Sequence, residues 1–63
     1  MKITVYRDKK KEWRWRWVAA NGRIIGDSGE GYKRRKGCFE FVTKLRFALE
    51  STYAETIDME IIK

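Results

Sequence analysis

The chain contains no histidine and a single cysteine, Cys38. An intrachain disulfide is therefore excluded, as are the usual tetrahedral zinc sets, which draw on several Cys and His ligands. The same shortage removes the Cys/His and Ser/His pairings on which much nucleophilic catalysis rests. Long apolar runs are missing as well. The longest is Trp17-Val18-Ala19-Ala20, against roughly 20 residues for a bilayer-spanning helix. Met1-Lys2 leads straight into a strand-like pattern with no signal-peptide character. A lone thiol without an export signal fits a reducing compartment, so a soluble cytoplasmic chain with no membrane partner is expected. Length sets a further limit. A domain of 63 residues buries only about 60% of its unfolded surface, and such chains lean on a disulfide, a metal or a partner subunit. With the first two excluded, a homodimer is expected.

What the chain has in quantity is positive charge. It carries 15 Lys/Arg against 9 Asp/Glu, a net of +6. Residues 1–46 hold 14 basic and 5 acidic side chains, a net of +9, whereas residues 47–63 set Lys63 against Glu50, Glu55, Asp58 and Glu60. A basic body of this kind attracts a polyanion. The acidic tail is expected to lie against basic groups of its own or another chain.

Ile3-Thr4-Val5-Tyr6-Arg7 alternates and is rich in β-branched and aromatic residues, which predicts a strand. Residues 12–20 predict a second and longer one, and residues 23–28 a third. Between them stands Asn21-Gly22, the strongest short hairpin signal, for which a two-residue type I′ turn is expected. Opposed residues would then have numbers summing to 43. That register puts Ala19 opposite Ile24, Trp17 opposite Gly26 and Trp15 opposite Ser28 on one side, with Val18 opposite Ile25 and Arg16 opposite Asp27 on the other. Gly26 would leave room for the Trp17 indole, and Arg16 would pair with Asp27. A three-residue turn at 9–11 would bring Val5 opposite Trp15 and Ile3 opposite Trp17. Cys38, Phe41, Val42, Leu45, Ala48 and Leu49 fall at helical spacing and form one stripe able to cover the tryptophan side. Phe47 lies nearly opposite that stripe and Phe39 at its margin, two exposed rings that a partner would explain. Residues 56–62 alternate as a fourth strand. The expected fold is one α+β domain over residues 1–63, an antiparallel sheet in β-β-β-α-β order with one helix on one face.

The run Trp13-Arg14-Trp15-Arg16-Trp17-Val18-Ala19-Ala20-Asn21-Gly22-Arg23-Ile24-Ile25, followed by Asp27-Ser28-Gly29-Glu30-Gly31-Tyr32, resembles the YegP-like family, a domain of unknown function. The likeness extends over roughly residues 3–50. It continues into a helix with small or apolar residues six, ten and thirteen positions past the tyrosine (here Cys38, Val42 and Leu45) and a basic residue three past it (Arg35). The resemblance implies a β3-α-β unit that occurs in tandem or dimerises, with C-terminal strands exchanged between units. For a single copy it implies a homodimer with residues 56–62 swapped. It supplies no activity. Two departures stand out. Lys33-Arg34-Arg35-Lys36-Gly37 is far more basic than the family's usual helix start, and Phe39, Phe41 and Phe47 make the helix unusually aromatic.

Three groups of residues are candidates for function, each with a plainer reading beside it. Trp13, Trp15 and Trp17 form either a base-stacking platform or, as the aliphatic partners favour, a core or dimer core shared with Val42, Leu45, Leu49, Ile57, Met59 and Ile61. Arg14, Arg16 and Arg23, with Lys9, Lys10 and Lys11, are either a solvated sheet face or an anion-gripping one. Lys33, Arg34, Arg35 and Lys36 oppose the helix macrodipole yet concentrate charge beside free backbone N–H groups. They are either a solubilising run or an anion or nucleic-acid contact. Gly29-Glu30-Gly31 lacks the spacing of a phosphate loop, so a conformational role is expected, with Tyr32 packed over the helix start. Asp27 and Glu30 are a weak acid–base pair, and the stripe position of Cys38 argues for an inert thiol. The expectation is a non-enzymatic homodimeric binding module without cofactor or metal, its basic surface contacting nucleic acid or an acidic protein. The alternatives are a protein-interaction module, such as a phage- or mobile-element-encoded inhibitor or adaptor, and a scaffold with no ligand of its own.

Overall fold

Two turns of the same kind set the sheet. A computed structural model describes residues 1–62. In it strand β1 spans Lys2–Arg7, β2 Trp13–Val18 and β3 Ile24–Asp27, followed by helix α1 at Arg35–Tyr53 and β4 at Asp58–Ile61. Between β1 and β2, Lys11 N–H donates to Asp8 O at 3.0 Å and Asp8 N–H to Glu12 O at 2.9 Å. Between β2 and β3, Gly22 N–H donates to Ala19 O at 2.9 Å and Ala19 N–H to Arg23 O at 2.8 Å. Each is a three-residue loop that closes on a left-handed residue, Lys11 (φ 64°) and Gly22 (φ 86°).

The first loop is the three-residue turn expected at 9–11, and it places Val5 opposite Trp15 and Ile3 opposite Trp17. The second departs from expectation. Asn21 does not share the positive φ of Gly22, so the turn is not type I′; its side-chain oxygen accepts the Arg23 N–H at 3.0 Å instead. The extra loop residue is absorbed by a register shift between Trp17 and Val18, where Val18 opposes Ile24 rather than Ile25. Below the shift the expected pairs hold, with Trp17 opposite Gly26 and Arg16 opposite Asp27.

The sheet order is β3-β2-β1-β4. The expectation of a wholly antiparallel sheet is wrong at one edge, because β4 runs parallel to β1, pairing Lys2 with Asp58 and Val5 with Ile61. The helix dictates this. It starts beside the first residue of β2, runs the length of the sheet and delivers the chain to the end where β1 begins, so β4 can only follow the direction of β1. The strand exchange implied for residues 56–62 is not the pairing of the single chain, whose β4 lies against its own β1. The acidic tail meets its own chain as well. Glu60 lies 3.6 Å from Lys2 Nζ, and Glu55 lies 3.5 Å from the N-terminal amine.

Ile3, Val5, Trp15, Cys38, Val42, Leu49 and Ile57 form the core. The tryptophans point to the helix side, and each meets a helix aromatic. Trp13 faces Phe39, Trp15 stacks on Phe41 at 5.7 Å, and Trp17 faces Tyr53. Trp15 is only 9% exposed, while Trp13, Trp17, Leu45 and Met59 are half-buried. Ile61, expected in the core, is 40% exposed. The helix lies mainly over β2, and Ile24 and Ile25 on β3 are exposed, Ile24 opposite Val18 on the face away from the helix. Phe41 is a stripe residue at its rim, half out of the core, and Phe47 projects away at 72% exposure. Among the described residues no helix is long and apolar enough to cross a membrane.

Two indole N–H groups, of Trp15 and Trp17, are buried without a hydrogen-bond partner among the described residues. A core drawn from 63 residues has little reserve. Trp15→Ala is expected to lower unfolding stability by about 3–5 kcal/mol. Urea denaturation followed by far-UV circular dichroism should find the variant largely unfolded. A variant within about 1 kcal/mol of wild type would show that the ring is not core.

Candidate functional site

The β1–β2 register continues to Arg7 opposite Trp13. On the other side of Trp13, the backbone of Tyr32 forms an isolated antiparallel bridge. Trp13 N–H donates to Tyr32 O at 2.8 Å, and Tyr32 N–H donates to Trp13 O at 2.7 Å. Gly31 permits this approach, since a Cβ there would lie 2.6 Å from Glu12 Cβ. Lys33, Arg34, Arg35 and Lys36 follow at once, all exposed. The clip thus places two basic runs, separated by more than twenty positions in sequence, at one end of the molecule.

Trp13 is the hub of that end. The Arg7 guanidinium sits 5.7 Å from its ring and that of Arg35 5.8 Å, while Arg35 also lies 4.8 Å from the Phe39 ring. Neither arginine forms an ion pair within 4 Å among the described residues. The half-buried indole holds two guanidiniums by cation–π attraction while their charge stays available to solvent. Arg7 escaped the sequence reading as a site residue, and Phe39, expected as an exposed ring, is instead half-buried against Trp13. Arg7 was within its reach, because extending the β1–β2 register by one pair sets it against Trp13.

The helix begins without help. Arg34 is its N-cap, in extended conformation (φ −113°, ψ 135°), with no side-chain capping bond and no acid in the first turn. Tyr32 packs beneath, its ring 3.6 Å from where a Cβ on Gly37 would stand.

The opposite sheet face divides the remaining candidates. Lys9, Lys10 and Lys11 lie in the β1–β2 turn, exposed, beside Arg7. Arg14 was expected among the anion contacts but is engaged within the protein. Its Nε donates to Asp8 Oδ2 at 2.6 Å and its Nη1 to Gly29 O at 3.1 Å, fastening the turn to the loop before the clip. The Arg16–Asp27 side-chain pair does not form either. Arg16 lies over the Tyr6 ring at 4.4 Å, and Asp27 accepts the Gly29 N–H at 2.9 Å. Arg23 stands apart from the cluster, past the far end of β2. That strand advances about 3.3 Å per residue, so the separation exceeds roughly 16 Å.

Cys38 is buried, and burial pushes its thiol up from the ordinary value, leaving little thiolate at neutral pH. Among the described residues no three Cys, Asp or Glu side chains gather as a metal-binding group.

The hydrogen bond from Arg14 holds the Asp8 carboxyl below its ordinary value of 3.8, with the Glu12 backbone N–H assisting. A depressed carboxylate stabilises the fold above its unfolded-state value, and that contribution disappears as pH falls through the lower folded-state value. Asp8→Asn is therefore expected to be less stable than wild type at pH 7 and to converge on it as pH falls through the lowered folded-state value of Asp8. Thermal melts across pH check this. A constant difference between the two at all pH values would contradict it.

A family model described as a domain of unknown function, DUF1508, matches residues 8–49. The chain is 40% identical over 52 residues to a UPF0339 protein of Neisseria meningitidis serogroup B, spanning 82% of this chain and 91% of that one. It is 36% identical over 45 residues to a UPF0339 protein of Treponema denticola, spanning 71% and 76% respectively. No solved structure gave a significant match. The chain belongs to the YegP-like family, the UPF0339 proteins with the DUF1508 domain, a small domain of unknown function.

Proposed function

We propose that this protein is a small non-enzymatic binding module that contacts nucleic acid through the basic end built on Trp13. One observation carries the reading: the Trp13–Tyr32 bridge brings the Lys9–Lys11 turn and the Lys33–Lys36 run to the same end of the molecule, where Arg7 and Arg35 both lie against the Trp13 ring. The uncapped helix start supports it. A sequence selected for stability alone would place Ser, Asp or Asn at the N-cap and acids in the first turn. Phosphate contacts of this sort position a polyanion without reading its bases, so binding is expected to be sequence-independent and salt-sensitive.

Fluorescence anisotropy with labelled oligonucleotides tests the reading. Affinity should fall by about two orders of magnitude between 50 and 200 mM salt for about four phosphate contacts. Arg34→Asp should weaken binding more than the charge-matched Arg23→Asp, while raising stability by about 1 kcal/mol through a new cap. Absence of binding at the lower salt, or equal losses for both variants, would refute it. A second reading, a protein-interaction module, is favoured by the outward Phe47. A stoichiometric protein partner that survives nuclease treatment, with no oligonucleotide binding, would select it.

The module is also proposed to act as a homodimer that exchanges residues 56–62. Small size and exposed Phe47, Ile61 and Ile62 support assembly. In the exchanged form β4 would keep its pairing but against the partner's β1, with Ile57 filling the partner's core. Sedimentation equilibrium at micromolar concentration should give about twice the 7.6 kDa chain mass. A monomer throughout that range would contradict it.

A further inference from the structure

A cleft of about 580 Å³ opens on the sheet face away from the helix, lined by Tyr6, Arg7, Lys9, Lys10 and Arg16 together with the Asp8–Arg14 pair. Asp8, the one acid in it, is already neutralised by Arg14, so the remaining cations face the opening unopposed. Arg16 is the unusual member. Its guanidinium lies over the Tyr6 ring at 4.4 Å, its residue is exposed, and its register partner Asp27 is occupied by Gly29. The guanidinium is thus within cation–π distance of an aromatic ring while the residue stays exposed to solvent. Guanidinium planes held in this way are stacking surfaces for unpaired bases.

We infer that this cleft is a subsite for one nucleotide of a single strand, its base laid on the outer side of Arg16 and its phosphate held by Lys9 and Lys10. The inference rests on the nucleic-acid reading above and adds a preference to it. Lysines alone serve any polyanion, but a guanidinium stacks on the face of an unpaired base, which a duplex keeps covered by its neighbours. The cleft adjoins the Trp13 end through Arg7, so a strand seated here continues toward the helix start.

The test compares an oligothymidylate with a duplex of matched length by anisotropy at fixed salt, using wild type and Arg16→Lys. The substitution keeps the charge and removes the plane, at an exposed position where the fold is checked by its melting curve. Wild type is expected to prefer the single strand. Arg16→Lys should lose about tenfold of that affinity, leaving duplex binding and the salt slope nearly unchanged. Wild type that favours duplex, equal losses on both nucleic acids, or polyglutamate bound as tightly as oligothymidylate would overturn the subsite while leaving a basic binding surface in place. Wild type that binds neither nucleic acid would overturn the underlying reading as well.

Discussion

Two main-chain hydrogen bonds between Trp13 and Tyr32 organise this molecule. Without them the segment from Ser28 to Arg34 would be a free connection, and the helix could start anywhere its stripe allowed. With them, the first turn of α1 is fixed beside the first residue of β2, and the loop backbone of Gly31 presses against Glu12. The direction of the helix, the parallel placement of β4 and the meeting of the two basic runs all follow from that fixed point. The Arg14 bonds to Asp8 and Gly29 brace the same loop from the other sheet face.

The basic end shows opposing demands on the same residues. Arg34 and Arg35 sit where a helix N-terminus disfavours cations, and the neighbouring lysines add mutual repulsion. The aromatic residues offset part of this. Trp13 and Phe39 accept guanidiniums on their faces, which orders the arginines without consuming their charge in ion pairs. The tryptophan row therefore has two roles along its length. Trp15 is a core residue beneath Phe41, whereas Trp13 supports the charged surface from below.

Much of the fold was legible in residue order. Alternation gave the strands, the spacing from Cys38 gave the helical stripe, and the three-residue turn at 9–11 correctly set Val5 against Trp15. Asn21-Gly22 misled by one residue, because local sequence does not distinguish a type I′ turn from a type I turn closed by a left-handed glycine. The direction of β4 was hidden for a different reason: a strand's pattern records which side is buried, not which neighbour it pairs with. The side-chain fates of Arg14 and Arg16 were also beyond reach. Register placed Asp27 across from Arg16, but Gly29 took the aspartate and Tyr6 took the arginine. The run at 33–36 was visible as a site candidate. Its proximity to Lys9–Lys11 was not, since that depends on a bridge involving a single residue outside any strand.

The central claim is that the two basic runs form one surface. Backbone amide chemical shifts, followed by NMR while a short oligonucleotide is added, test it directly. Signals from Lys9–Lys11 and from Lys33–Lys36 should move together along one binding curve, with Arg23 nearly still. Movement of one run alone, or of Arg23 to the same extent, would contradict the account.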